Sequence, residues 1–176
     1  MRMLDLFAGL GGASSAFAAR GWDVVTVDND PRFGCTHTTD LAAWSYTGPP
    51  VDLVWASPPC TEFSRESMPW CRTGAVPSME LVHAALRIIR EVNPPWWVLE
   101  NVRGATKYLN PLMGKGPSFG PFFLWGVFPP FRCRVEPFKE KLSSARRAER
   151  ANVPFELSER LAKACERQSE FCREAA

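Results

Sequence analysis

Short apolar runs alternate with helical stretches along the first part of the chain. The runs MLDLF, DVVTV, VDLVWA and WWVLE are rich in branched and aromatic side chains, which is typical of buried strands. A helix of small residues is predicted from Gly12 to Arg20, and another begins at Ser78 and stops at Asn93-Pro94-Pro95. Strands that alternate with helices indicate parallel βαβ units. The sequence therefore predicts an α/β fold, a mostly parallel sheet flanked by helices, with ligands at the carboxyl ends of the strands.

The pattern changes in the second part of the chain. Segment 111–130 is rich in Gly, Pro and aromatic residues, which favours turns and edge strands over helix. A final amphipathic helix is predicted in PFELSERLAKACERQSEF. Its apolar side carries Leu157, Leu161, Ala164, Cys165 and Phe171. A length of 176 residues fits one core better than two, so we expect a single domain over residues 1–176.

The hydropathy of the chain and the spacing of its cysteines indicate the cellular compartment. No uninterrupted apolar run approaches the roughly 20 residues that span a bilayer, and MRMLDLFAG lacks the build of a signal peptide. The six cysteines, at positions 35, 60, 71, 133, 165 and 172, form no Cys-x-x-Cys pair. This spacing argues against a zinc site and against a disulfide framework. We therefore expect a soluble, cytoplasmic protein with reduced thiols and no metal.

The net charge of +2 is distributed unevenly. Between Arg132 and Arg150 the chain carries seven basic and three acidic residues, a local balance of +4. A polyanion would meet the protein most favourably at this segment. The alternative is a solvated helix surface of mixed charge.

A glycine-rich turn follows the first predicted strand, in FAGLGG from Phe7 to Gly12. Glycines at this place let a ligand approach the backbone, and the free N–H groups of a helix N-terminus suit a carboxylate or phosphate. A dinucleotide fingerprint would need a third glycine where this chain has Ser14, which argues against NAD. Asp28, at the end of the second strand, is a candidate acceptor for ribose hydroxyls, or else an ordinary turn residue. Asp40, near the end of a possible third strand, is a candidate acceptor for an adenine amino group.

The stretch VDLVWASPPCTEFS delivers Cys60 from the end of a strand into a loop that Pro58-Pro59 restricts. Loops at the carboxyl ends of parallel strands line the ligand crevice. A thiol at this place is expected to act as a thiolate nucleophile, for which positive charge or hydrogen-bond donors must lower its pKa. The alternative is a buried structural cysteine.

Two further groups complete the candidate chemistry. Glu100 follows the very apolar strand in WWVLENV, so its carboxyl group should be partly desolvated. Desolvation raises a carboxyl pKa, which would let the group share a proton with a ring nitrogen; the alternative is a carboxylate that caps a neighbouring helix. Arg132 and Arg134 stand two apart in an extended segment and should point the same way. Together they can hold an anion or a pyrimidine carbonyl.

The segments FAGLGG, VDND, PPCTEFS, ENV and RCR, in this order, resemble the S-adenosylmethionine-dependent cytosine-5 methyltransferases. The resemblance extends over about the first three quarters of the chain. It implies a single Rossmann-like methyltransferase domain, with S-adenosyl-L-methionine as the cofactor and nucleic acid, in the first place DNA, as the partner.

The resemblance also implies which residues bind the cofactor. Phe7, Gly9 and Gly11 would line its methionine end, Asp28 would bind the ribose, and Asp40 with Leu41 would meet the adenine. The full implied set is Phe7, Ala8, Gly9, Gly11, Gly12, Asp28, Asn29, Asp40, Leu41 and Pro58.

For the base, the resemblance implies covalent catalysis. The Cys60 thiolate would attack C6 of cytosine, which makes C5 nucleophilic enough to accept a methyl group. Glu100 would contact N3 and the exocyclic amine. Arg132 and Arg134 would help to hold the base, with Arg134 at the pyrimidine carbonyl.

The chain departs from the family pattern at three places. The usual glutamine two residues before the first arginine is Pro130. The late Gly-Asn-x-Val-Pro signature is only echoed in Arg150 to Pro154, where Ala151 takes the asparagine position. The large target-recognition domain that normally follows the paired arginines is replaced by Val135 to Glu149, too short for a domain.

These departures leave three functions open. The first is a compact DNA methyltransferase that holds DNA with its basic segment, the loop from Glu62 to Pro77 and a partner chain. The second is the same chemistry on RNA or on a free cytidine nucleotide. The third is an idle cofactor- or DNA-binding relic, against which the intact Cys60 and Glu100 argue.

Overall fold

A computed structural model describes residues 1–64, 76–135 and 152–174. Within these ranges one seven-stranded sheet has the order β3-β2-β1-β4-β5-β7-β6. The strands are β1 (Arg2–Leu6), β2 (Asp23–Asp28), β3 (His37–Thr38), β4 (Leu53–Ala56), β5 (Trp96–Val102), β6 (Ser118–Phe119) and β7 (Phe122–Val127). The helices are α1 (Ser14–Ala19), α2 (Thr61–Ser64), α3 (Glu80–Val92), α4 (Thr106–Met113) and α5 (Phe155–Glu174).

The sheet is mostly parallel, as the sequence predicts. Strands β1 to β5 pair in parallel, while β7 runs antiparallel to both β5 and β6. The strand order reverses direction at β1, which lies between β2 and β4. Ligands of open α/β sheets bind outside the carboxyl ends of the strands at such a switch point. The topology therefore places the crevice beside the ends of β1 and β4.

Both faces of the sheet are covered, because alternate strand residues point to opposite sides. In β4, Val54 and Ala56 belong to the core beneath α3 and α4, whereas Leu53 and Trp55 belong to the core beneath α1 and α5. All four are fully buried. This continuous apolar run is typical of a central parallel strand.

Helix α3 starts slightly later than predicted. It begins at Glu80, whose N–H donates to the Ser78 hydroxyl oxygen at 3.3 Å. It ends at Val92 and is followed by Asn93, which has a left-handed φ of 49° before the two prolines. Segment 111–130 was expected to lack helix, but Pro111–Met113 form the last turn of α4. The rest of this segment forms β6, β7 and turns, as expected.

The structure confirms most of the apolar side that the sequence predicts for the last helix. Leu157, Leu161, Ala164 and Cys165 are all buried, and Leu157, Leu161 and Cys165 belong to the core shared with the sheet and α1. The prediction is wrong for Phe171, which is 68% exposed. The 20 residues of α5 extend about 30 Å, and the last turns pass beyond the end of the short helix α1. No helix in the described ranges is long and apolar enough to cross a membrane.

Candidate active site

The turn after β1 has a backbone that small residues adopt most easily. Phe7, Gly9 and Gly11 have positive φ angles of 61°, 53° and 75°. The N–H of Ala8 donates to Val27 O at 3.1 Å, and the N–H of Gly11 donates to Ala8 O at 2.8 Å. A non-glycine residue in this conformation, such as Phe7, stores strain of the kind found at functional turns. The N–H groups of Ala8 and Gly11 are bonded within the protein, and contact of the turn with a ligand stays a prediction.

Asp28 ends β2 and is only 8% exposed. One carboxylate oxygen accepts the Gly9 N–H at 3.0 Å, and the other accepts the Asp30 N–H at 3.0 Å. Asp28 thus holds the glycine turn against β2. Each carboxylate oxygen has a second lone pair that can accept a ligand hydroxyl. Its neighbour Asn29 is exposed at the same strand end.

Asp40 and Leu41 follow the short strand β3. The Asp40 side chain is exposed, and its carboxylate accepts the Ala42 N–H at 2.9 Å. Leu41 is 2% exposed and belongs to the core. The pair offers one polar and one apolar group past β3, and its contact with adenine stays a prediction.

Asp5 was not among the predicted site residues. It is 1% exposed in the middle of β1, and neither carboxylate oxygen has a hydrogen-bond partner. Burial raises its pKa to about 7, and the nearby charge of Asp28 acts in the same direction. The Ser14 hydroxyl opposes this shift, although it donates to Gly11 O at 3.4 Å. A charged residue inside the apolar run MLDLF was the signal that could have revealed it.

The loop after β4 carries Cys60 to the start of α2. Ser57 extends the parallel ladder, because its N–H donates to Leu6 O at 3.1 Å. Pro58 is buried, and its carbonyl accepts the side-chain amide of Asn101 at 2.9 Å. The Cys60 carbonyl accepts both the N–H and the hydroxyl of Ser64, each at 2.9 Å. The half-buried thiol is thus held by bonds at both ends of its loop.

The pKa of the Cys60 thiol is higher than that of a free cysteine. Burial raises it most, the Ser64 side chain lowers it, and the charge of Glu100 raises it further. The sequence argument expected positive charge or donors to lower this pKa. The structure supplies two donors, the Ser64 side chain and the backbone of Cys60 itself, and the pKa is still raised because burial has the largest effect. The thiol is therefore protonated at neutral pH before a substrate arrives.

Glu100 lies on β5, next to the strand that leads to Cys60. The register pairs Ala56 with Leu99, so Ser57 and Glu100 follow on adjacent strands. Glu100 is 6% exposed, and burial raises its pKa to about 7, against a hydrogen bond with Ser57. Ser57 in turn accepts the Trp55 indole N–H at 2.8 Å. The structure thus brings Cys60 and a partly protonated Glu100 together, as predicted.

Two residues that support Cys60 were missed by sequence reasoning. Asn101 donates to Pro58 O and accepts the Val102 N–H at 2.9 Å, so it fixes the Cys60 loop to β5. Gly104 lies against the carbonyl oxygen of Phe63, where a β-carbon would overlap that oxygen. The sequence pointed to Asn101 only as part of the segment ENV. It gave no indication of a role for Gly104, because the steric constraint on Gly104 comes from Phe63, which is distant in sequence.

Arg132 and Arg134 are both exposed, and Cys133 between them is half-buried. This alternation agrees with the prediction that the two guanidinium groups point the same way. The segment is not a regular strand, and it is anchored by Phe131, whose ring stacks on Phe119 at 4.6 Å. The role of the two arginines in holding a base stays a prediction.

The start of α5 closes over the glycine turn. The Asn152 carboxamide and the Val153 backbone occupy the space that a β-carbon on Gly12 would need. The Ser158 hydroxyl donates to Gly12 O at 3.3 Å. Asn152, one residue after Ala151, is thus the asparagine that lies against the turn. Ala151 itself, most of the basic segment and residues 65–75 of the loop from Glu62 to Pro77 lie outside the described residues.

Comparisons with known proteins indicate the family of the chain. The model of the family described as C-5 cytosine-specific DNA methylase matches residues 1–111. A "Probable DNA (cytosine-5)-methyltransferase" of Frog virus 3 is 32% identical over an alignment of 117 residues that covers 57% of this chain and 53% of the viral protein. Type II methyltransferase M.HgiGI of Herpetosiphon aurantiacus is 29% identical over 121 residues, covering 60% of this chain and 93% of that protein.

The fold is also found in a solved structure. An E. coli protein assigned as a prophage-encoded DNA modification methyltransferase superposes with a TM-score of 0.50 at 22% identity, over 72% of this chain and 46% of that one. At this identity the likeness shows the Rossmann-like fold alone. This chain spans about half the length of the viral relative. The family model covers most of the chain, including Cys60 and Glu100, so the chain belongs to the C-5 cytosine-specific DNA methylase family.

Proposed function

We propose that this chain is a DNA cytosine-5 methyltransferase that uses S-adenosyl-L-methionine and a transient covalent bond from Cys60 to the base. The observation that carries the proposal is the closeness of Cys60 to Glu100. Glu100 lies on β5, Cys60 follows the adjacent strand β4, and the charge of Glu100 raises the Cys60 pKa. A nucleophile beside a carboxyl group of pKa about 7 suits attack on a ring that must gain a proton. Membership of the family supports the same chemistry.

The residues of the glycine turn fit this cofactor. The left-handed turn from Phe7 to Gly11 carries small residues at Ala8, Gly9 and Gly11, which let a ligand approach its backbone, and Asp28 retains acceptor capacity for ribose hydroxyls. A cationic ligand nearby would favour the charged form of the Asp5 carboxyl group, which burial otherwise keeps partly protonated. When bound, S-adenosyl-L-methionine supplies an electrophilic methyl group. The proposed binding set is completed by Ala8, Gly12, Asn29, Asp40, Leu41 and Pro58.

The chain's own residues account for activation of the base. Cys60 Sγ first loses its proton to solvent, and its electron pair forms a bond to C6 of cytosine. The electrons of the C5–C6 double bond move towards C5 and N3, and Glu100 donates its proton to N3. After methylation, loss of the C5 proton to solvent restores the double bond and expels the thiolate. The N3 proton then returns to Glu100.

The substrate and the partner belong to the same proposal. Arg132 and Arg134 hold the base at its carbonyl edge. Only the segment from Val135 to Glu149 follows them before Arg150, which is short for an element that reads a major groove. A second subunit or the loop from Glu62 to Pro77 would then supply target recognition. The need for a reduced thiol supports a cytoplasmic location.

The test is methyl transfer from radiolabelled cofactor to duplex DNA, single-stranded DNA, RNA and cytidine nucleotide in parallel. We expect label in duplex DNA and a covalent adduct on Cys60 when the DNA contains 5-fluorocytosine. Cys60→Ser should lose transfer and adduct while its cofactor affinity changes less than about twofold, because a hydroxyl is a far weaker nucleophile at neutral pH.

Cys133→Ser is the matched control, since Cys133 is also a half-buried free thiol. This variant should keep both activity and adduct. An adduct that maps to Cys71 would overturn the assignment of the nucleophile. Label confined to RNA or to free nucleotide would establish the alternative substrate, and binding without transfer to any substrate would identify an idle relic.

A further inference from the structure

The loop after Asp40 is held by one side chain from helix α3. Residues 41–50 form turns and bends, so their carbonyls lack the partners that a strand or helix would provide. Arg87 supplies them. Its Nη2 donates to the carbonyl oxygens of Leu41 at 3.1 Å, Ala42 at 3.4 Å and Trp44 at 2.7 Å. Its Nη1 donates to the Ser45 hydroxyl at 3.1 Å.

The same guanidinium group is fixed on its own helix. Arg87 Nη1 also contacts the two carboxylate oxygens of Glu91, one turn later, at 2.8 and 3.0 Å. This contact lowers the pKa of Glu91. The Arg87 side chain is 34% exposed, so the group is partly shielded from water. A planar group with several fixed donors can bridge many carbonyls at once, which a lysine ammonium cannot reproduce.

We propose that Arg87 is a positioning residue for the cofactor's adenine end, because it holds the loop that carries Asp40 and Leu41. This inference rests on the proposed function, in which Asp40 and Leu41 contact the adenine. Leu41 is placed directly by its own carbonyl bond to Arg87. Asp40 is placed through the turn it forms with Ala42, whose carbonyl Arg87 also binds. Loss of Arg87 should therefore weaken cofactor binding and leave the chemical step at Cys60 unchanged.

Aromatic contacts alone do not account for the loop. Trp44 packs on His37 and Tyr46 at centroid distances of 5.5 and 6.2 Å, which anchors the middle of the loop. Those contacts are non-directional and provide no hydrogen bond to the carbonyls of Leu41 and Ala42. Arg87 is the described side chain that bonds to both sides of this aromatic anchor.

The test compares Arg87→Ala and Arg87→Lys with two controls on the same helix. Glu91→Gln removes the ion pair but keeps the carbonyl bonds. Arg90→Ala removes an exposed arginine that bonds only within the helix, to Leu86 O at 3.0 Å. Three quantities are measured for the full chain: hydrogen exchange of amides 39–46 without ligand, the Kd for S-adenosylhomocysteine, and single-turnover methylation at saturating cofactor.

We expect Arg87→Ala to speed exchange in 39–46 and to raise the Kd about 10-fold, as follows from losing several hydrogen bonds to a charged donor. Arg87→Lys should lie in between, and both controls should stay within about twofold of the wild type. The saturated single-turnover rate should not change. Unchanged exchange in Arg87→Ala, or faster exchange with an unchanged Kd, would overturn the proposal. If the wild type itself fails to bind the analogue, the proposed function is wrong, while the exchange data still decide whether Arg87 holds the loop.

Discussion

At the residue scale, the site depends on carboxyl groups that burial keeps partly protonated. Asp5 and Glu100 are almost fully buried, and the pKa of each is raised to about 7. Each lies on a central, buried strand of the sheet, where the charged form of a carboxyl group loses its hydration. Cys60 shares this environment, and its pKa is also raised. Protons on these groups are therefore part of the resting state of the site.

Glu100 should level off the pH dependence of the reaction above about pH 7. The protonated carboxyl group is the form that donates to N3, and this form declines above about pH 7 while the Cys60 thiolate increases. The two changes offset each other, so single-turnover methylation should rise with pH and then level off near pH 7. Glu100→Gln should remove this plateau, so that the rate keeps rising with pH, and should lower the rate on the order of 10²-fold, because an amide cannot transfer the proton. Rate measurements between pH 6 and 9 at saturating cofactor and DNA test both effects.

The control for this experiment is Asp28→Ala, which should weaken cofactor affinity and leave the shape of the pH profile unchanged. Equal losses of cofactor affinity in Glu100→Gln and Asp28→Ala would contradict the assignment of proton donation to Glu100 and of ribose binding to Asp28.

Asp5 should make the protein less stable at high pH. Its folded pKa of about 7 lies above the ordinary 3.8, so the folded protein retains a proton that the unfolded chain has released. Stability from this group is complete below about pH 4 and is lost as pH rises through about 7. Relative to wild type, Asp5→Asn should gain about 2 kcal/mol or more in free energy of unfolding between pH 5 and pH 8. Urea denaturation at both pH values measures this difference, and a parallel pH dependence in the two proteins would contradict the assignment.

At the element scale, short contacts between distant segments position the nucleophile. Helix α2 begins directly after Cys60 and packs on the turn Arg103–Ala105 that follows β5. Gly104 is required there because the Phe63 carbonyl leaves no space for a side chain. Asn101 fixes the preceding loop to the same strand end. Strand β5 thus positions Glu100 by its own backbone and Cys60 through these two contacts.

Gly104→Ala should therefore impair catalysis more than cofactor binding. The new methyl group must displace the backbone of α2, at a cost of about 1–3 kcal/mol in stability. Movement of the Cys60 loop by this amount should reduce single-turnover methylation by about 10²-fold, while the Kd for the cofactor changes little. Calorimetric binding and rate measurements on the same preparation separate the two effects. Gly12→Ala is the comparison variant, since its clash with Asn152 and Val153 should mainly affect the cofactor side.

At the scale of the whole molecule, the distribution of charge determines how DNA would be held. The segment from Arg132 to Arg150 carries a balance of +4 in a chain of net charge +2. Few residues are available to read base edges, so binding should rest mainly on phosphate contacts. Binding of this kind is governed by counterion release.

We expect binding of the isolated chain to duplex DNA to weaken steeply as salt rises and to show at most a short sequence preference. Reversing charge at Arg146 and Arg147 should weaken binding to all sequences alike and reduce the slope of log K against log salt by about 2. Arg167→Glu, on the exposed side of α5, is the control and should have little effect. A long, strictly required target motif read by a monomer, seen by bisulfite sequencing of methylated random duplexes, would refute this account.

The sequence by itself determined the α/β class, the central strands and the positions of Cys60 and Glu100. These features are local: apolar runs, glycine turns and prolines act through backbone sterics and burial within a few residues. It also located Asp28, whose place at a strand end follows from the βαβ pattern.

Only the tertiary structure decided which groups act on one another. The proton on Asp5, the raised pKa of Cys60, the contact of Asn152 with Gly12 and the exposure of Phe171 all depend on segments that are distant in sequence. The hydrogen bonds of Arg87 to the loop after Asp40 join residues that are more than forty positions apart in sequence. Burial and hydrogen bonding are properties of assembled neighbours, and periodicity along one segment carries no information about the partner it will meet.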